Sequence, residues 1–206
     1  MHTDGPLLVL AGPGSGKTRV ITHRAAWLAC TVTQPRHVLA ITFTTKAANE
    51  IAERMRRLGS GDVTCSTFHS FCARLLRIHG ERVGLGPNFS IFDEADQTAA
   101  VKQALAKLRQ DPERLTPGKM LNAISKAKND MIDAKRYAAE ARGWDEEQIA
   151  PVYAAYEQVL ADQNAADFDD LLIKTARLLG EFPEVRDRLE ERYRYVIELG
   201  RSLAPL

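Results

Sequence analysis

The 206-residue sequence predicts an α/β fold, a parallel sheet with helices on both faces and an all-helical block inserted into it. Three observations carry that expectation. Residues 1–92 alternate short apolar runs with segments of helical period, the pattern of strands joined by crossover helices. A glycine-rich turn, Ala11-Gly12-Pro13-Gly14-Ser15-Gly16-Lys17-Thr18, separates the first apolar run from the first helical segment. From 93 to 166 the texture becomes almost wholly helical, and 167–206 ends in a further apolar run.

The first strand is expected at 7–11 and its helix from Lys17 to about Cys30. Val38–Thr42, apolar and β-branched, is the second strand. The next helix repeats Ala47, Ile51, Met55 and Leu58 on one face, and Gly59 is its stop. A third strand at 63–67 leads into a helix with Phe71, Leu75 and Ile78 on one side. Asp93 caps a helix over 94–108, and Thr116-Pro117 opens another that runs to about Asn129. A long helix near 146–164 packs Ile149, Val152, Tyr153, Tyr156, Val159 and Leu160, with Pro151 delaying its start or bending it. Asp167 opens the following helix and Gly180 ends it. Residues 184–194 are helical, and Tyr195–Leu199 is a fourth strand.

Apolar content of 45% and charged content of 27% are those of an ordinary water-soluble domain. The net charge of +1 conceals an asymmetry: 1–90 hold 11 Lys/Arg against 5 Asp/Glu, whereas 91–206 hold 17 against 22. A basic half that also bears the glycine-rich turn suits a polyanionic partner. Cys30, Cys65 and Cys72 lack metal-ligand spacing and read as small buried residues of a reducing cytoplasm. No apolar stretch reaches membrane-spanning length, and no signal peptide is expected.

The turn has the strand, loop and helix order of a phosphate-binding loop. Small residues at 12, 14, 15 and 16 let backbone N–H groups around Pro13 point inward at a polyphosphate. Lys17 would reach the β/γ-phosphates of ATP, the Thr18 hydroxyl would take a Mg²⁺ position, and the following helix adds the positive end of its dipole. Ala11 stands where the strict pattern has Gly.

Four segments together resemble the UvrD/Rep-type superfamily 1 DNA helicases. Residues 11–18 with Arg19-Val20-Ile21-Thr22-His23-Arg24 resemble motif I, and Ile41-Thr42-Phe43-Thr44-Thr45-Lys46-Ala47-Ala48 resembles motif Ia. Thr67-Phe68-His69-Ser70-Phe71 with Arg74 resembles motif Ib. Asp167-Phe168-Asp169-Asp170-Leu171-Leu172 matches the segment closing the helical 1B insertion. The resemblance implies a RecA-like P-loop NTPase domain, 1A, at 1–92 and 167–206, with subdomain 1B at 93–166. It implies an ATP hydrolase moving 3′ to 5′ on single-stranded DNA in repair or replication. Arg19 would lie near the adenine, while Thr42, Phe43, Thr44 and Lys46, with Thr67, His69 and Ser70, would line the single-stranded track. Read physically, Phe43 offers a face on which a base can stack, and Thr44 and Lys46 can meet phosphate oxygens. The competing reading is a core Phe flanked by helix-capping threonines. Asp169 and Asp170 read as first-turn carboxylates on a helix dipole rather than as an acid–base pair.

Two departures qualify the resemblance. The family's adenine-recognising Gln has no counterpart in residues 1–6. After Tyr193-Arg194-Tyr195-Val196 the family strand enters an Asp-Glu pair that holds Mg²⁺, whereas this sequence continues Ile197-Glu198-Leu199-Gly200-Arg201-Ser202-Leu203-Ala204-Pro205-Leu206. The expectation is therefore a motor piece truncated before those carboxylates, without the second motor domain and not catalytically competent alone. The alternative is a stand-alone nucleotide- or single-stranded-DNA-binding module.

Overall fold

A computed structural model describes residues 3, 5–10, 12, 14–110 and 115–200. The elements in chain order are α1 (Lys17–Thr31), β1 (Val38–Thr42), α2 (Thr45–Arg57), β2 (Thr64–Thr67), α3 (Phe68–His79), β3 (Ser90–Ile91) and α4 (Glu94–Lys107). They continue as α5 (Pro117–Asn129), α6 (Ala134–Glu140), α7 (Trp144–Asp162), β4 (Ala165–Ala166), α8 (Phe168–Glu181), α9 (Pro183–Arg192) and β5 (Tyr195–Leu199). Two compact units result: Met1–Ser70 with Arg186–Leu206, and Phe71–Val185. The helical stretch 93–166 falls inside the second.

In the first unit β2, β1 and β5 form a parallel sheet in that order, with β1 central. All five β1 residues are buried, which is why Val38–Thr42 reads as a continuous apolar run. Register pairs Val38 with Tyr195, and Ala40 with both Cys65 and Ile197. With a side-chain period of two, Val38, Ala40, Cys65, Tyr195 and Ile197 share one face. Ala25, Ala26, Leu28 and Ala29 of α1 and Ile51 and Met55 of α2 pack on that face. The three alanines let α1 approach closely, while burial of Ile51 or Met55 contributes about 1.5–3 kcal/mol each.

Gly59 ends α2 as expected. Its φ of 73° is left-handed, its N–H donates to the Arg56 carbonyl at 3.1 Å, and Ser60 N–H donates to the Met55 carbonyl at 2.9 Å. That 6→1 and 5→2 pair is the Schellman closure, which a Cβ at position 59 would strain.

The expected first strand is not a strand. Residues 7–10 lie outside both sheets, and Leu7, Leu8, Val9 and Leu10 are all exposed; Ala11 falls outside the described residues. An apolar run becomes a strand only where a neighbour supplies the ladder, and neither β2 nor β5 pairs with it here. The face expected for α3 also shifts: Cys72, Leu75 and Leu76 are buried, whereas Ile78 is exposed.

The second unit is a helical core of α4, α5 and α7, filled by Val101, Leu105, Met120, Ile124, Val152, Tyr153, Tyr156, Val159 and Leu160. Asp93 caps α4 with a reciprocal box, accepting from Ala95 and Asp96 N–H while Asp96 accepts from its own. Thr116 takes the extended cap geometry of α5 without a side-chain bond, leaving Pro117 to set the turn.

Helix α7 starts at Trp144, well before Pro151, which sits inside it. A proline removes one internal N–H, and Asp145, Glu146 and Glu147 in the first turn favour the helix start through the dipole. Gly180 does not end α8; the helix runs to Glu181, and Pro183 excludes helical geometry at Phe182. Helix α6, capped by Asp133 accepting from Arg136 N–H, and the two-residue parallel pair β3–β4 are additions to the sequence reading.

Candidate functional site

The turns after β1 and β2 open at the carboxyl edge of the sheet, and so does the start of α1. Helix α1 ends just before the 3₁₀ turn Pro35–His37 that feeds β1, so it runs antiparallel to the strands with its N-terminus at their carboxyl ends. Ligands of parallel sheets collect at that edge.

Gly14 and Gly16 have φ of 74° and 82°, and Gly16 is the N-cap of α1. A Cβ built on Gly12, Gly14 or Gly16 meets nothing within 4 Å, so the glycines answer to backbone conformation and access rather than to internal packing. The Gly12 carbonyl gathers three donors: Ser15 N–H at 3.4 Å, Ser15 Oγ at 2.7 Å and Lys17 Nζ at 2.8 Å. The ammonium thus lies across the loop. Thr18 is half-buried beside it, Arg19 is exposed, and Pro13 lies outside the described residues.

Beyond β1, Thr42 is buried and its hydroxyl donates to the Leu199 carbonyl at 3.3 Å, tying β1 to the end of β5. Phe43 is 47% exposed. Thr44 caps α2, its Oγ1 accepting from Ala47 N–H at 3.2 Å, and Lys46 is exposed one residue into the helix. Beyond β2, Thr67 is buried; its hydroxyl donates to Ser70 Oγ at 2.9 Å and accepts from Ser70 N–H at 3.1 Å. His69 is half-buried and Ser70 exposed. Phe43 therefore stands out at the surface rather than in the core, and Thr44 takes the capping role that was its alternative. One residue joins this edge that the sequence reading passed over: the Phe68 ring centroid lies 5.0 Å from that of Phe43. Its signal was the Thr-Phe dipeptide ending both strands, at 42–43 and 67–68.

Electrostatics at this edge favour an anion. Helices α1, α2 and α3 have no acidic residue in their first turns, a property shared with α5 and α6, whereas α4, α7, α8 and α9 do have one. Three positive helix ends are left without an internal counter-charge.

The titratable cluster of the second unit has a different character. Lys128, 2% exposed, donates to Asp167 Oδ2 at 2.7 Å and Asp170 Oδ1 at 2.9 Å. Glu157 Oε1 lies 2.7 Å away as a charge pair without hydrogen-bond alignment. Tyr156 donates to Asp167 Oδ2 at 2.9 Å. Burial alone would lower the Lys128 pKa, but Asp170, Asp167 and Glu157 together hold it well above the usual lysine value. Burial pushes the Asp170 carboxyl up to about 6, with Lys128 opposing. Asp167 and Asp170 also form a capping box at the start of α8, with Asp167 as the N-cap that opens the helix and Asp169 and Asp170 in its first turn. All three cysteines are free; Cys30 is exposed rather than buried, and burial raises the Cys65 thiol to about 11. Among the described residues no cluster of His, Cys, Asp and Glu could hold a metal ion, and no helix is long and apolar enough to cross a membrane.

Comparison with known proteins agrees with these features. The UvrD/REP helicase N-terminal domain family matches residues 1–197. The chain is 42% identical over 198 residues to ATP-dependent DNA helicase PcrA of Bacillus subtilis, covering 94% of this chain and 27% of that protein. The PcrA proteins of Leuconostoc citreum and Staphylococcus aureus are 43% and 41% identical over 199 residues, again with 27% of each covered. The chain thus spans about a quarter of the length of these relatives, aligned over nearly its whole extent, and it belongs to the UvrD/REP helicase N-terminal domain family.

Proposed function

We propose that this chain is the nucleotide-binding motor region of an ATP-dependent DNA helicase, a RecA-like P-loop domain whose sheet edge runs along single-stranded DNA. The observation that carries the reading is the carboxyl edge itself, where an open glycine loop and three helix N-termini free of acidic side chains would suit two polyanions, a nucleotide and a phosphodiester backbone. The relatives' names supply the activity, DNA unwinding driven by ATP.

In this reading the N–H groups of Gly14, Ser15 and Gly16 and the Lys17 ammonium hold the β- and γ-phosphates of ATP, and Arg19 lies beside the adenine. The open space over Gly14 and Gly16 fits a phosphate chain. Mg²⁺ would be held by the Thr18 hydroxyl and phosphate oxygens, where it neutralises developing charge. Lys17 must then leave the Gly12 carbonyl for phosphate, exchanging a neutral acceptor for a charged one. On the track, Phe43 stacks on a base while Lys46, Ser70 and His69 meet backbone oxygens. Thr42, Thr44 and Thr67 shape the two turns through the bonds they already make.

Phe43→Ala should weaken binding of a fluorescent oligothymidylate by about 1–3 kcal/mol irrespective of base composition, because stacking is base-tolerant. Anisotropy titration at fixed salt measures it. Unchanged affinity would remove Phe43, and with it the track, from the reading.

A further inference from the structure

We propose that Phe68 is a positioning residue for single-stranded DNA: it props the Phe43 ring so that the two form one preorganised shelf for a base. The inference rests on the single-stranded-DNA reading above and extends it to a residue outside the expected track.

Register makes the two rings neighbours. Thr42 and Thr67 are paired across β1 and β2, and each is followed directly by its phenylalanine. The rings therefore leave adjacent strands at the same level of the sheet edge. Their centroids are 5.0 Å apart and their planes tilted by 43°, within the range of favourable aromatic contact and too inclined for a parallel stack. Phe68 is half-buried and Phe43 half-exposed, so one ring is fixed in the protein and the other leans on it.

The backbone on each side is pinned independently. The Thr42 hydroxyl is bonded to the Leu199 carbonyl, Thr44 caps α2, and Thr67 is tied to Ser70 in both directions. With the main chain held, the remaining freedom of Phe43 is the rotation of its side chain, and Phe68 is the group that restricts it. A ring already held at the correct angle loses less freedom when a base arrives, so preorganisation appears as affinity. The ligand class follows from the surroundings: an apolar ring pair beside exposed Lys46, at helix ends without carboxylates, suits a planar base on an anionic backbone.

The test uses the full chain with Phe68→Ala, Phe68→Leu, Phe68→Tyr and Phe43→Ala. Each is titrated with a fluorescent oligothymidylate and with an abasic oligonucleotide of equal length, and each is checked by thermal melting. Phe68→Leu keeps most of the volume and guards against a variant that merely unfolds. The expected result is a three- to tenfold loss on oligothymidylate for Phe68→Leu, a larger loss of about five- to 150-fold for Phe43→Ala, no loss on the abasic strand, and recovery in Phe68→Tyr. Loss for Phe43→Ala without loss for Phe68→Leu overturns this inference and leaves the track intact. Equal loss on both strands for Phe68→Leu overturns it too, because packing rather than base support is then at stake. No effect of Phe43→Ala on either strand overturns the single-stranded-DNA reading itself, and the inference with it.

Discussion

Replacing Lys128 with methionine should lower the unfolding free energy by about 3–5 kcal/mol, the range for stripping one partner from a buried ion pair. The ammonium is 2% exposed and faces Asp167, Asp170 and Glu157 at 2.7–2.9 Å. Methionine keeps most of the stem's volume, so the loss is chiefly electrostatic: α5 gives up its tie to α8, and buried carboxylates are left uncompensated. The urea midpoint at pH 7 measures it, and a loss no larger than the roughly 1 kcal/mol of an exposed pair would mean that water already reaches these groups. The same cluster predicts a pH dependence. Asp170 is raised from 3.8 to about 6, so the folded protein binds that proton more tightly than the unfolded chain, and its ionisation opposes folding. Its contribution to stability is full below about pH 4 and is lost as pH rises through about 6. Asp170→Asn should flatten that part of the stability profile relative to wild type; an unaltered slope would show the carboxyl ionised throughout.

Lys17→Ala should weaken binding of Mg²⁺-ADP or Mg²⁺-ATP by about 1.5–3 kcal/mol, a factor of about 13–160, the value of a hydrogen bond to a charged group. Folding should change little, because the side chain is only half-buried and its bond to Gly12 lies within the loop. Isothermal calorimetry with wild type and variant side by side measures it. Equal affinities would reduce residues 12–18 to a turn without a ligand. Alanine is the informative substitution here, since arginine would keep the charge.

Much of the first unit was legible because its signals are local. Val38–Thr42 and Tyr195–Leu199 are the strands the apolar runs indicate, and Gly59 closes α2 where the apolar period stops. The helix caps at Asp93 and Asp167 were equally plain, since a carboxylate three residues before its target is itself a sequence pattern. What escaped depends on partners distant in sequence. Residues 7–10 have the composition of a strand, yet pairing decides the matter and composition does not reveal it. Ile78 keeps the helical period of Phe71 and Leu75 but meets solvent, because the buried face of α3 is rotated toward Cys72 and Leu76. Lys128 reads as one more surface lysine until Asp167 and Asp170, 39 and 42 residues later, are brought to it. Phe68 was visible as a motif letter, but its contact with Phe43 needed the strand register.

The ladder between β1 and β5 joins residues as far apart as Thr42 and Leu199, 157 positions along the chain. Parallel pairing over that span delays completion of the first unit during synthesis. The ribosome delivers β1 and β2 early, then the contiguous second unit, and only afterwards the strand that fills the other side of β1. At about 5–20 residues per second, the interval is on the order of 8–30 s. Throughout it the apolar strand Val38–Thr42 offers an empty ladder on one side to any passing strand, including the same strand of a neighbouring nascent chain. The newborn polypeptide is thus most open to cross-pairing on a polysome, and a holdase that shields Val38–Thr42 for those seconds would raise the yield of native protein.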